Sequence, residues 1–212
     1  MNRKIVKVSV LIIFFIVIVL SNVCFISYAQ AYEREQQIIK DGIYRISMFS
    51  DNYCHFALEI ADGSKQVEAN VQIGTWINKD NEKNKFKITY DQTSGYYTIE
   101  SLISEKMLDV QNGGMTSGTN VWQHGSNGTD AQKWKIEKNN DGSYSFISKK
   151  NGLYLDVQNG NMSDGGNIQV CVGNNTQAQK FQLISLENKP EKTIQNGIYK
   201  IETYTNNKRW NL

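Results

Sequence analysis

The same short segments recur three times along this chain, 47 to 50 residues apart, and that spacing limits the fold more than any single motif. Gly42–Ile46 (GIYRI), Gly95–Ile99 (GYYTI) and Gly142–Phe146 (GSYSF) open the copies. Ala57–Ile60 (ALEI), Met107–Val110 (MLDV) and Tyr154–Val157 (YLDV) form the middles. Asn84–Ile88 (NKFKI), Gln132–Ile136 (QKWKI) and Gln179–Leu183 (QKFQL) form the ends. The acidic positions 59, 109 and 156 are 50 and 47 apart, and the aromatic positions 86, 134 and 181 are 48 and 47 apart. The opening segments alternate apolar and polar residues, the period of a half-buried strand. Clusters such as QNGG at 111–114, NNDG at 139–142 and QNGN at 158–161 are turn chemistry. No stretch after residue 40 keeps a helical period over ten residues. One copy cannot bury its apolar face, whereas three closed around an axis can, and closure removes exposed strand edges. Tyr44, Tyr97, Tyr144, Phe86, Trp134 and Phe181 are expected to pack the core.

Before the first copy, Arg3, Lys4 and Lys7 precede an apolar run from Val8 to Leu20, and small residues follow. This order predicts a secretion signal over residues 1–29, cleaved after Ala29 or Ala31, and hence an extracellular protein. Ser21 and Asn22 interrupt the apolar stretch, which makes it a poor membrane span. Val23 stands where a lipoprotein signal at Cys24 wants a small residue. The 212 residues carry 23 Lys+Arg against 21 Asp+Glu, and loss of the signal makes the net charge of +2 slightly negative. Nothing in that balance suggests nucleic acid. Cys54 and Cys171 remain, and both are read as small apolar residues without a disulfide. The 23 Asn and 15 Gln are numerous for this length, and such amides suit turns and sugar hydroxyls.

Three copies with an LDV-like middle and a Q-x-W-like end resemble the ricin-type β-trefoil lectins. The resemblance covers residues 41–187, with copies at about 41–93, 94–141 and 142–187, after a short leader at 30–40. Gln132-Lys133-Trp134 carries the end motif in full, Gln179-Lys180-Phe181 keeps the Gln with another aromatic, and Asn84-Lys85-Phe86 keeps the aromatic alone. The resemblance implies an all-β fold, a six-stranded barrel capped by three hairpins, with one potential sugar pocket per repeat. It also places a carboxylate at the acidic residue of the middle segment, a stacking ring about 15 residues later, and amides beside the end motif.

The chemistry of such a pocket is simple. A carboxylate only accepts, so it takes two adjacent sugar hydroxyls at once. A ring covers the C–H face of the sugar, and amides complete the polar rim. In the second copy the candidates are Asp109, Gln111, Asn112, Asn127 and Gln132, with Trp122 or His124 as the ring. Asp109 and Asn112 also suit a plain turn. In the third copy they are Asp156, Gln158, Asn159, Gln169, Asn174 and Gln179, but Cys171 stands at the ring position. The first copy has Glu59, Asn84 and a Trp76 that comes two residues late, and it reads as structural. Single pockets of this kind bind with Kd on the order of 1 mM, so repetition raises the effective affinity for clustered glycans.

No nucleophile, metal-ligand or phosphate-loop spacing occurs, so neither catalysis nor a cofactor is expected. The expected partner is carbohydrate (galactosides, xylan-like or cell-surface glycans), with a fused or associated catalytic or toxin component as a further option. A trefoil scaffold for protein contacts, as an inhibitor or adhesion module, is the alternative. Residues 188–212 hold the only Pro and then GIYKI at Gly197–Ile201, which reads as a linker and the cut-off start of a second trefoil.

Overall fold

The computed structural model describes residues 37–50, 52–53, 55–76 and 81–187, together with the strand backbone of 202–205 and 208–211. The secretion signal, its cleavage site, Cys54 and the GIYKI segment lie outside the described residues. Each repeat contributes four strands: β1 Gly42–Met48, β2 Phe56–Ile60, β3 Val71–Thr75 and β4 Phe86–Asp91; then β5 Tyr96–Ser101, β6 Lys106–Val110, β7 Thr119–His124 and β8 Trp134–Lys138; then β9 Tyr144–Ser148, β10 Tyr154–Val157, β11 Ile168–Cys171 and β12 Phe181–Ser185. The outer strands of each repeat form a closed antiparallel ring, in which β1 pairs β4, β4 pairs β5, β5 pairs β8, β8 pairs β9, β9 pairs β12 and β12 pairs β1. The inner strands form the hairpins β2–β3, β6–β7 and β10–β11. This is a β-trefoil. A separate hairpin, β13 (Glu202–Thr205) with β14 (Lys208–Asn211), lies beyond it in sequence.

Alternation decides which residues face the interior. Along β4, Phe86, Ile88 and Tyr90 are buried while Lys87 and Asp91 are exposed. Phe86, Trp134 and Phe181 occupy one position in the three repeats and are at most 1% exposed. Burial of each such side chain stabilises the fold by about 1.5–3 kcal/mol. The Trp134 indole N–H reaches Leu108 O at 3.2 Å, so its polar atom is also satisfied inside. Tyr97 is buried as expected, but Tyr44 and Tyr144 are only half-buried against the core. Tyr44 turns its hydroxyl outward to Lys40 O at 2.9 Å, because a phenol keeps its O–H solvated or paired. Part of the leader docks as well: Ile39 is buried, and its N–H donates to the Tyr97 hydroxyl at 2.9 Å.

The three hairpins meet through a ring of amides. Asn70 Nδ2 donates to Asn167 Oδ1 at 2.8 Å, Asn120 Nδ2 to Asn70 Oδ1 at 2.9 Å, and Asn167 Nδ2 to Asn120 Oδ1 at 3.0 Å. Each asparagine comes from the equivalent place in its repeat, so the ring sits where the three-fold relation requires. Each also bridges by backbone to a neighbouring repeat: Asn70 to Trp122, Asn120 to Gln169 and Asn167 to Gln72. Asn120→Ala opens the ring and strips a donor and an acceptor from its neighbours. A loss of about 1–3 kcal/mol of stability is expected, measured by denaturant unfolding.

Candidate functional site

The site begins with strand register. β6 and β7 pair so that Asp109 lies opposite Trp122, and residues directly opposite share a face of the hairpin. His124, two residues after Trp122, falls on that same face. The Trp122 indole N–H donates to Asp109 Oδ1 at 3.0 Å, and the carboxylate is only 4% exposed. No donor to Oδ2 is seen among the described residues, and Asp109 lines a pocket of about 310 Å³. Trp122 and His124 stack at 6.2 Å between centroids and 30° between planes. Trp122 is buried and committed to the carboxylate, so His124, half-buried, is the ring on the open side. Its Nδ1 lies 3.1 Å from Gly125 O, a contact that makes Nδ1 the protonated nitrogen in the neutral ring.

The rest of the pocket comes from turns and from a neighbour. Asn112 lines it while holding φ at 53°, and Gly113 follows at 59°. Asn and Gly are the residues that tolerate this left-handed geometry. Asn127, Thr129, Asp130 and Ala131 line it as well, together with Lys150 from the third repeat. Gln111 and Gln132 are not among the lining residues. Gln132 is 2% exposed; its Nε2 donates to Gly125 O at 2.9 Å and its Oε1 accepts from Asn127 N at 3.0 Å. It straps the 125–132 loop into shape. Asn127 Oδ1 in turn accepts from Thr129 N and Oγ1.

The third repeat rebuilds the same plan with different donors. Asp156, opposite Gln169, accepts from Gln169 Nε2 at 2.9 Å on Oδ1 and from Gln179 Nε2 at 3.0 Å on Oδ2. Burial pushes its carboxyl above the usual value, and the two amide donors offset part of that rise. Asp156, Asn159, Gln169 and Asn174 line a pocket of about 540 Å³. Gln179 straps its loop to Asn174 N and Val172 O as Gln132 does, and it also lines a neighbouring pocket of about 640 Å³ with Asn174. Gln158 does not line the Asp156 pocket; its Oε1 accepts from Asn167 Nδ2 at 3.1 Å and belongs to the amide ring. The Cys171 thiol is free and takes a hydrogen bond from Ser117 Oγ at 3.1 Å.

The first repeat supplies its own occupant. Glu59 is 2% exposed, and Lys83 Nζ lies 2.8 Å from each of its oxygens; Gln72 Nε2 adds a contact at 3.1 Å. Gly74 stands where His124 and Cys171 stand in the other repeats, and a Cβ there would collide with the Glu59 carboxylate. The longer carboxylate therefore lies flat over a bare backbone and is closed off by an ammonium. Trp76 is engaged elsewhere, with the Arg45 guanidinium 4.3 Å from its ring centre. Sequence reasoning missed Lys83, Lys150 and the strap role of Gln132. Lys83 precedes Asn84 as Ala131 precedes Gln132, and that alignment was the available signal. Lys83→Met should cost about 1–3 kcal/mol in unfolding experiments, because Glu59 keeps its burial and loses its cation.

Among the described residues no three His, Cys, Asp or Glu side chains converge as metal ligands. The family model described as ricin-type beta-trefoil lectin domain-like matches residues 30–124, 83–171 and 130–212. Among solved structures, the designed three-fold symmetric protein ThreeFoil is 29% identical with a TM-score of 0.63, over 69% of this chain and 100% of that one. An exo-β-1,3-galactanase from Clostridium thermocellum is 28% identical with a TM-score of 0.61, over 68% of this chain and 30% of the enzyme. The Macrolepiota procera ricin B-like lectin, solved with lactose, is 13% identical with a TM-score of 0.57, over 69% of this chain and 97% of that one, a likeness of fold. No curated protein matches the chain significantly.

Proposed function

The chain belongs to the ricin-type β-trefoil lectin domain-like family, and from that premise we propose that it is a secreted carbohydrate-binding protein whose principal sugar pocket lies in the second repeat. One observation carries the reading: Asp109 is held by Trp122 on Oδ1 while Oδ2 is left to the pocket beside the His124 ring. A fixed acceptor next to a flat ring is what a pyranose needs for neighbouring hydroxyls and for its C–H face. Asn112 and Asn127 supply amides at the rim, and Lys150 adds a donor. The sugar arrives at a carboxylate already oriented, so little ordering is needed on binding. The third repeat serves as a second pocket around Asp156, and the first is structural. Two pockets on one body favour clustered glycans over single sugars.

Catalysis finds no support in this arrangement. Asp109 and Asp156 line different pockets, so they do not flank one glycosidic bond as a hydrolase pair does. The galactanase that shares the fold suggests the setting in which such a module works, attached to or acting beside a catalytic component.

On a glycan array of galactosides, xylans and cell-wall glycans, the wild-type chain should bind. Asp109→Ala should weaken that binding about tenfold or more while the chain still folds cooperatively, since hydrogen bonds to a charged group carry roughly 1.5–3 kcal/mol. Silence of the wild-type chain across the array would overturn the reading.

Binding at the third pocket should depend on pH. The Asp156 carboxyl titrates above its ordinary 3.8 because burial disfavours the charge. Sugar hydroxyls need the ionised form, so binding at this pocket should fade while the pH is still above the ordinary aspartate range. The stability effect has the opposite sign. A folded value above the unfolded one means the group's contribution is fully present below the unfolded value and is lost as pH rises through the folded one. Calorimetric titration of Asp109→Ala, from neutral pH down to about 4, measures the binding limb.

A further inference from the structure

Resting on the lectin reading, we propose that the third pocket is a sugar site whose stacking ring is Tyr53, supplied by the first repeat across the seam of the barrel. The pocket keeps the plan of the second one. Asp156, Asn159, Gly160, Asn174, Thr176 and Ala178 stand where Asp109, Asn112, Gly113, Asn127, Thr129 and Ala131 stand. The missing part is the ring. Cys171 replaces His124, and its sulfur is turned to Ser117 Oγ of the second repeat. Tyr53 lines the same pocket and is 38% exposed, one of the few large apolar side chains left open to solvent among the described residues.

The chain has made room for this ring. Seven residues separate β1 from β2, against four between β5 and β6 and five between β9 and β10. The longer connection belongs to the repeat that follows the third pocket around the barrel. Its turns hold Tyr53 by both backbone groups, through Tyr53 N to Ser50 O at 3.2 Å and Phe56 N to Tyr53 O at 2.9 Å. In the other two repeats the equivalent connection closes down on the turn glycine. A methyl group on Gly113 would lie 3.2 Å from Lys150 Cε, and one on Gly63 would lie 3.2 Å from Ile103 Cδ1. On Gly160 it would meet nothing within 4 Å among the described residues. The third pocket is correspondingly roomier, about 540 Å³ against about 310 Å³. Met162 also lines this pocket and adds apolar surface to it. The ligand class that fits is a pyranoside with two free neighbouring hydroxyls for Asp156 and an open C–H face for Tyr53, with space for a second sugar unit.

The test uses the full chain carrying Asp109→Ala, so that the second pocket is silent, and polyacrylamide bearing galactose, lactose or xylobiose as probes. This protein should still bind one of the polymers. Adding Tyr53→Ala should weaken that binding about tenfold, the worth of an aromatic face, while Tyr53→Phe and Tyr53→Trp keep it within about twofold. Tryptophan fluorescence on unfolding checks that the fold persists in each variant. Loss of all binding in Asp109→Ala alone, with the wild type active, would overturn the third site and leave the second standing. Equal affinity with and without Tyr53→Ala would overturn the role of the ring, and so would a loss in Tyr53→Phe as large as in Tyr53→Ala. Silence of the wild-type chain toward every probe would overturn the lectin reading itself.

Discussion

Pairing of β1 with β12 closes the barrel, and most of what is useful in this protein depends on it. The register runs from Tyr44 opposite Ser185 to Met48 opposite Phe181, so the first and last strands of the trefoil satisfy each other's backbone groups. Without that seam there are two exposed strand edges and a core that faces water on one side. The amide ring of Asn70, Asn120 and Asn167 needs the seam too, because each member donates to a different repeat. The ring then fixes the hairpins, since each asparagine is bridged to the residue that faces a neighbour's carboxylate. Pocket geometry is thus set from the axis outward.

The three carboxylates show one backbone position solved in three ways. A buried carboxylate must be paired, and the partner decides what remains for a ligand. Asp109 receives a single indole N–H and keeps one oxygen open. Asp156 receives two amides, one on each oxygen, and they offset part of the rise in proton affinity that its burial causes. Glu59 receives an ammonium and is closed. Small changes at the facing residue, from Trp to Gln, and at the residue before the strap, from Ala to Lys, move a pocket from receptive to sealed with no change in the strands.

The fold was legible in the sequence because each repeat shows the same alternation to the reader that it shows to the core. Phe86, Trp134 and Phe181 could be placed inside from spacing, and Asp109 and Asp156 were singled out as the acidic residues of the LDV-like middles through the resemblance to the ricin-type lectins. Two kinds of information were not legible. Gln132 and Gln158 looked like sugar-facing amides, yet an amide satisfies backbone carbonyls or other amides as readily as hydroxyls, and only the loop geometry decides. Contacts that cross from one repeat to the next, such as Lys150 and Tyr53, were also missed. Reading down equivalent positions compares each repeat with its copies and never with its neighbours, and those neighbours are set only when the ring closes.

The ammonium of Lys83 has a consequence at a larger scale than the pocket it fills. A connector with three arms branches, and branched connectors joined by flexible strands percolate into a gel above a modest degree of linkage. A connector with two arms only lengthens a thread, whatever its concentration. On the proposed reading, with sugar sites in the second and third repeats, sealing the first pocket sets the molecule's arm number at two, and so selects strings over networks when it meets ligands that themselves offer two ends.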